Sequence, residues 1–150
     1  MNATLTSTAY MPALRQLIRC TQAFERFSGS HVKSMGLTES QFDVIATLGN
    51  TEGMTCKELG ERTLITKGTL TGVLDHMEAR ALIARRTDAT DARRTHIALT
   101  RKGSVLFAEV FPAHLTHLQR AFGRLSDSEL NHLREGLTTL RLAFEKELAQ

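Results

Sequence analysis

A run of basic side chains in the middle of the chain is the feature most able to do chemistry. Within residues 85–102 stand six cations, opposed only by Asp88 and Asp91. The six are Arg85, Arg86, Arg93, Arg94, Arg101 and Lys102. Residues 57–103 carry a net charge of +4, whereas the rest of the chain carries −1. A localised basic stretch in a nearly neutral chain is typical of a surface that binds a polyanion, although a solvated face that binds nothing has the same pattern.

A second group of polar side chains precedes this stretch. It consists of Thr66, Lys67, Gly68, Thr69 and Thr71. Short hydroxyls and a lysine can reach phosphates or the edges of bases, and a glycine lets another backbone approach closely. These residue types therefore fit a surface that contacts double-stranded DNA.

Helical periodicity and helix caps predict the elements that position these residues. Apolar residues recur at three- and four-residue spacing over 10–35, which predicts a long amphipathic helix. Capping boxes at Thr38, Thr55 and Ser126 predict further helix starts. Two short helices, 55–62 and 66–80, are joined by only three residues. This spacing predicts a helix-turn-helix, whose second helix enters a major groove while the first braces it.

The pattern then changes from helix to strand. Residues 82–87 and 95–99 are short and extended in character, and the polar loop 88–94 separates them. We expect a β-hairpin with a basic tip. Such a hairpin can place an arginine in the minor groove, where A·T-rich DNA concentrates negative potential.

Long helices follow the hairpin. Thr100 is placed to begin one, and Ser126 begins another that carries an apolar seam close to coiled-coil spacing. The seam residues are Leu133, Leu137, Leu140 and Phe144. With Leu14 and Leu17 of the first helix, they are predicted to bury against a second copy of the chain, because so apolar a face does not remain in water.

On these motifs the sequence resembles the MarR family of winged-helix transcription regulators. The segments that carry the resemblance are Leu37-Thr38-x-x-Gln41-Phe42, Lys57-Glu58-Leu59-Gly60, Thr66-Lys67-x-Thr69-Leu70-Thr71 and Asp91-x-Arg93-x5-Leu99-Thr100-x2-Gly103. It covers roughly residues 10–148, and the last segment, the wing signature, is the most specific.

The resemblance implies a mainly α-helical fold with a small β-hairpin wing. One domain would span 1–150, with a winged helix-turn-helix lobe at 37–103 and dimerisation helices at 10–36 and 104–148. It also implies a homodimer on a pseudo-palindromic operator, with Arg93 in the minor groove and Asp91 bracing the wing. Many relatives carry glycine where Ala81 stands, and arginine where Gly72 stands.

A small aromatic effector that releases the protein from its operator is the favoured form of control. Proteins of this family often bind aromatic carboxylates or phenols between the dimer helices and the DNA-binding lobe. The corresponding residues here are Phe27, His31, Phe42, Phe107 and Phe111. A thiol sensor of the same fold, through Cys20 or Cys56, is the alternative.

Other classes of function find less support in the sequence. There is no catalytic motif, so we do not expect an enzyme or a cofactor. His31, His114 and His117 lack the spacing of a metal site and are expected at the surface or an interface. A helical dimer that does not bind DNA is a third possibility, which the basic hairpin disfavours.

Composition sets the remaining expectations. Two cysteines cannot form a disulfide framework, and no apolar run approaches the ~20 residues that span a bilayer. The first ten residues lack the features of a secretory signal. We therefore expect a cytoplasmic protein without a membrane partner, whose residues 1–9 lack regular structure.

Overall fold

The fold, described by a computed structural model for residues 8–63 and 65–150, consists of helices and one small sheet. Most of the amino-terminal segment 1–9 thus lies outside the described residues. The helices are α1 (Met11–Ser34), α2 (Glu39–Leu48), α3 (Cys56–Arg62), α4 (Lys67–Ala79), α5 (Arg101–Phe122) and α6 (Asp127–Leu148). The strands are β1 (Met54–Thr55), β2 (Ile83–Thr87) and β3 (Thr95–Leu99). The predicted fold class, mainly α with a β-hairpin wing, is confirmed.

Three helices begin with the capping boxes that the sequence predicts. The Oγ1 of Thr38 accepts a hydrogen bond from the backbone N–H of Gln41 at 3.1 Å, and the Gln41 side chain accepts one from the Thr38 N–H at 3.1 Å. The same reciprocal bonds join two further pairs, Thr55 with Glu58 and Ser126 with Glu129. Backbone N–H groups favour the ionised carboxylate, so both glutamates have a pKa below the ordinary value.

The β-hairpin forms as predicted, and a third strand joins it. β2 pairs antiparallel with β3 from Ile83 opposite Leu99 to Thr87 opposite Thr95. β1 lies on the other side of β3, with Met54 opposite Ile97, so that the strand order is β1-β3-β2. Two residues are too few to show alternation in a sequence, which is why β1 was not predicted.

The turn from α4 into β2 has an unusual backbone. Ala81 has a φ of 58°, in the left-handed region that glycine adopts at little cost. The turn thus keeps this conformation although alanine stands there. The Oγ1 of Thr100 donates to the Ala81 carbonyl at 2.6 Å and accepts from the Gly103 N–H at 3.1 Å. Thr100 therefore begins α5, as predicted, and also fastens it to the turn.

Gly103 allows this close packing. A side-chain carbon at position 103 would overlap the backbone carbonyl oxygen of Leu82. The start of α5 can lie against the turn only because no side chain stands there.

The residues up to His114 form one compact unit, and its core includes residues of α1 to α5 and of the sheet. The largest fully buried side chains are Ile45, Leu48, Leu59, Leu74, Met77, Leu82, Ile83 and Ile97. This core fixes α3 and α4 to the wing and leaves their polar faces exposed.

Residues from Leu115 onward form a second unit, made of the end of α5 and α6. None of the α6 residues is buried within the single chain. None of the described helices is long and apolar enough to span a membrane. The boundary between the units falls inside α5, later than the predicted end of the winged lobe at 103, and the division into lobe and dimerisation helices stays a prediction.

Candidate nucleic-acid interface

Helix α4 separates a buried apolar face from an exposed polar one. Leu70, Leu74 and Met77 are buried in the core. The predicted DNA-contacting residues Thr66, Lys67, Gly68, Thr69 and Thr71 are all exposed. The structure thus presents the five at the front of one helix.

The start of α4 keeps its polar groups available. Thr66 precedes the helix with an extended backbone, but its side chain makes no capping bond to the helix backbone. Its Oγ1 donates to the Thr69 Oγ1 at 3.1 Å. A side-chain carbon at Gly68 would meet no neighbouring atom within 4 Å. This end of the helix is therefore open to an approaching backbone.

Helices α3 and α4 contribute to the same core, α3 through Leu59 and α4 through Leu70. Leu59 is completely buried. The buried Thr63 ends α3, and its Oγ1 donates to the Leu59 carbonyl at 2.8 Å. A carbonyl in the last turn of α3 thereby gains a side-chain partner.

The tip of the wing is organised around Asp91. Its Oδ1 accepts from the backbone N–H of Arg93 at 3.0 Å and from the Arg93 Nε at 3.3 Å. The Arg93 side chain is nevertheless 92% exposed, and Arg94 is exposed beside it. Asp91 therefore lies where a wing support was predicted, and both arginines remain accessible.

A second aspartate shapes the same loop. The Oδ1 of Asp88 accepts from the backbone N–H and the hydroxyl of Thr90, at 2.8 and 2.7 Å. These bonds lower the pKa of Asp88 below its ordinary value. The backbone N–H of Asp88 donates to the Arg94 carbonyl at 2.8 Å, which closes the loop.

Arg85 and Arg86 differ in their contacts. An Nη of Arg85 lies 2.6 Å from Asp75 and 3.1 Å from Glu78, both on α4. These two carboxylates raise the pKa of Arg85, and Arg85 lowers that of Glu78. Arg85 thus links the wing to α4, the recognition helix of the helix-turn-helix. The sequence did not predict this link. Both arginines stay predicted DNA contacts, and Arg86 is the exposed one.

Two of the predicted effector residues, His31 and Phe42, contact a buried histidine, His114. His114 is only 4% exposed in the single chain. The prediction that it lies at the surface or at an interface is therefore wrong. Its Nε2 is hydrogen-bonded to the Ser28 hydroxyl at 3.1 Å, and its Nδ1 lies 2.9 Å from the Nδ1 of His31. The Phe42 ring meets it edge-on at 4.6 Å. Its position in the sequence could have indicated this burial, because His114 lies on the same stripe of α5 as the buried Phe107 and Val110.

Two further aromatic residues of the predicted pocket belong to the core or pack against it, namely Phe107 and Phe111. The rings of Phe107 and Phe111 stack at 5.0 Å. Phe107 is buried and lies directly over Gly49, where a side chain would overlap its ring. Phe27 is half-buried on α1. His31 and Phe42 both contact His114, and the pocket stays a prediction.

The predicted dimerisation residues remain partly or largely accessible in the single chain. Leu133, Leu137, Leu140 and Phe144 are 37–54% exposed. Leu14 and Leu17 on α1 are half-buried. A groove of about 350 Å³ runs beside the α6 seam and is lined in part by Phe122, Leu133 and Leu137.

Cysteines and potential metal ligands are dispersed. Cys20 and Cys56 are both free thiols on exposed positions. Within residues 8–63 and 65–150, no three histidine, cysteine or acidic side chains gather as a metal site would require.

Comparison with known proteins places these features in one family. A family model described as "MarR family" matches residues 35–94, which include α2, the helix pair and most of the wing. The transcriptional regulator HosA of Escherichia coli O157:H7 is 34% identical over 93 residues, 62% of this chain and 69% of that protein. The chain belongs to the MarR family.

Two further comparisons extend the likeness over most of the chain. The regulator MhqR of Bacillus subtilis is 27% identical over 84% of this chain and 87% of its own. The structure of Bordetella bronchiseptica BpsR superposes with a TM-score of 0.79 at 24% identity, over 90% of this chain and 96% of BpsR. The winged-helix fold of the MarR family is thus shared beyond the helix pair.

Membership settles the broad class of function. The chain is a MarR family transcription regulator with a DNA-binding fold, not an enzyme. The assignment rests on the helix pair and wing, where the predicted DNA contacts lie.

Proposed function

We propose that this MarR family protein is a homodimeric repressor that a small aromatic acid releases from a pseudo-palindromic operator. The observation that carries the DNA-binding part is the exposed polar front of α4, followed by a wing with a basic tip. Lys67 and the hydroxyls of Thr69 and Thr71 would enter a major groove. Arg93, 92% exposed, would enter the adjacent minor groove.

The homodimer is supported by the apolar seam of α6. Four large apolar side chains at helical spacing stay exposed when the chain is alone. A second copy could cover them with the same seam, since two-fold dimers use one self-complementary patch. Two winged lobes would then face half-sites about 34–36 Å apart, which explains why the operator is expected to be a pseudo-palindrome.

The aromatic acid is supported by the cluster around His114. His31 is half-buried and Phe42 contributes a ring, so an apolar wall and a polar handle occur together. BpsR, which shares the fold, has its DNA binding regulated by 6-hydroxynicotinic acid. A ligand shifts DNA affinity only if it binds two conformations unequally. Insertion beside His31 would change how α1 packs against α2.

The first test is selection of bound duplexes from a random pool. We expect a pseudo-palindrome with half-sites one helical turn apart. A bound sequence without two-fold symmetry, or no enrichment at all, would overturn the dimeric DNA-binding proposal.

The second test is operator binding in the presence of salicylate, 6-hydroxynicotinic acid and benzyl alcohol. The acids should lower the affinity of the parent, and His31→Leu should keep DNA binding and lose the response. Benzyl alcohol, which lacks the carboxylate, is the matched control ligand. An unchanged response in a folded His31→Leu dimer would contradict the proposed ligand position.

Thiol control is the second candidate, because Cys20 and Cys56 are both free and exposed. The double variant Cys20→Ser, Cys56→Ser should still bind the operator and still respond to the acids. If peroxide alone releases the parent and the double variant does not respond to peroxide, the redox mechanism replaces ligand control.

A further inference from the structure

The outer face of the wing sheet carries a pocket that lies outside the His114 cluster and includes one predicted DNA contact, Arg86. Residues directly opposite in an antiparallel pair share a face. Arg85 and its partner Ile97 therefore lie on one face, and Ile97 is completely buried in the core. The alternate pairs, Ala84 with Ala98 and Arg86 with His96, lie on the other face.

This outer face is concave. A depression of about 400 Å³ lies there, and Ala84 and Ala98 are among the residues that line it. Ala84 and Ala98 are paired across the two strands and form the floor of the depression, because their small side chains leave the space above the sheet unfilled. The volume falls in the range of small-molecule sites, roughly 300–1,000 Å³.

Two guanidinium groups line the same depression. They belong to Arg86 on β2 and Arg101 at the start of α5. Unlike Arg85, neither has an ion pair within residues 8–63 and 65–150. The amino-terminal end of α5 adds partial positive charge there, because the first N–H groups of a helix lack intrahelical acceptors.

The loop before β1 completes the lining. The His96 Nε2 lies 3.1 Å from the backbone carbonyl of Glu52 and donates to it, since a carbonyl can only accept. Gly53 has a φ of 98° and approaches His96 and the Ile97 carbonyl so closely that no side chain would fit. This close approach fixes the ring of His96. Among the described residues that line the depression, Glu52 is the one acidic residue, against the two arginines.

We propose that this pocket binds a small planar carboxylate. The carboxylate would pair with Arg86 and Arg101, and the flat apolar part would lie on Ala84 and Ala98. Guanidinium groups hold carboxylates by paired N–H bonds. An apolar floor favours an organic anion over a DNA phosphate, which brings no apolar surface. The site is distinct from the His114 cluster and does not depend on the proposed operator release.

The experiment is a titration of the DNA-free, 15N-labelled full-length protein with benzoate, followed by amide chemical shifts. Saturable shifts should centre on Ala84, Ala98 and the start of α5. Benzyl alcohol and inorganic phosphate are the matched probes that lack the charge and the ring, respectively, and both should bind more weakly.

Three variants locate the site. Arg86→Gln and Arg101→Gln should each weaken benzoate binding about tenfold, as loss of a charge-assisted hydrogen bond does. Ala98→Leu should abolish it by filling the floor while both arginines remain. Arg124→Gln removes the same charge near the end of α5 and should leave binding unchanged. The amide spectrum of each variant reports whether it is folded.

Two results would overturn the proposal. Benzoate shifts confined to the surroundings of His31 and Phe42 would place the carboxylate in the His114 cluster instead. The second result is that Arg101→Gln binds benzoate as the parent does but binds DNA more weakly and with a shallower salt dependence. The pocket would then bind a DNA phosphate instead of a carboxylate. Neither result depends on whether an aromatic acid releases the protein from its operator. Failure of the pocket proposal can therefore be distinguished from failure of the proposed function.

Discussion

Arg85 and Arg86 are neighbours in the sequence, yet β2 places them on opposite faces of the wing. Successive side chains of a strand alternate between faces. Arg85 meets the carboxylates of Asp75 and Glu78, whereas Arg86 faces the pocket on the other side. Charge alone therefore does not assign a role to an arginine, because register decides which partner it meets.

Replacing Arg93 with alanine tests the wing tip at the residue scale. The change should weaken operator binding by about 1–3 kcal/mol, most at A·T-rich flanks, because a minor-groove contact is lost. The stability should be retained, since the side chain is 92% exposed. Affinities measured by fluorescence anisotropy at one moderate salt concentration give the comparison.

Arg124→Ala is the control for Arg93→Ala, because it removes an equal charge outside the wing. If both variants lose the same affinity, only net charge matters and Arg93 makes no specific contact.

Replacing Ala81 with glycine tests the turn into the wing. Alanine at a φ of 58° costs about 1–2 kcal/mol relative to glycine, and the more flexible unfolded chain of the glycine variant offsets part of this gain. The free energy of unfolding in urea should therefore rise by about 0.5–1 kcal/mol. Ala108→Gly, within α5, should instead lower it by about 1 kcal/mol. A loss of stability in both variants would mean that the turn is not left-handed.

At the scale of elements, the wing and the recognition helix are joined by one arginine. The first strand of the hairpin, β2, follows α4 after a short turn, and Arg85 links the two elements beyond it. Thr100 fastens the start of α5 to the same turn. Arg85 makes this link from the face of the sheet opposite the outer pocket.

Arg85→Gln should loosen the wing relative to α4. We expect a lower urea midpoint and weaker operator binding, because the tie to both carboxylates is lost. Arg86→Gln, which removes the same charge from the opposite face, should leave the urea midpoint unchanged. Equal midpoints for the two variants would show that the Arg85 tie does not stabilise the fold.

The same tie predicts a dependence on pH. The hydrogen bonds from Arg85 lower the pKa of Glu78 below its ordinary value. A depressed carboxyl pKa contributes stability above the unfolded value, and this contribution is lost as the pH falls through the folded value. Between pH 5 and 3 the parent should therefore lose more stability than Glu78→Gln, as urea titrations at each pH would record. Parallel losses would exclude a contribution from this pair.

At the scale of the whole molecule, the positive charge and the apolar seam lie in different parts of the chain. The net positive charge lies in residues 57–103, which include the helix pair and the wing. The apolar seam lies in the second unit, on α6. The proposed dimer needs both, because each winged lobe alone would contact only one half-site.

Leu137→Asp tests the assembly. A charge in the middle of the seam should separate the protomers, since burying an unpaired carboxylate is strongly unfavourable. Operator binding should fall with it. Sedimentation velocity should show half the parent mass, while Thr139→Asp, off the seam on the same helix, should remain dimeric. A folded Leu137→Asp dimer would locate the dimer interface elsewhere.

The sequence by itself determined the helices, the wing and the family. Local signals suffice for these features, because a capping box or a period of 3.6 residues acts within one or two turns. The same signals located the polar front of α4 and the basic wing tip. Only the tertiary structure decided that Arg85 binds α4, that His114 is buried beside Ser28 and His31, and that β1 completes the sheet. Each of these depends on groups brought together from distant parts of the chain or from neighbouring elements, and their spacing in sequence does not encode the register or the packing that makes them meet.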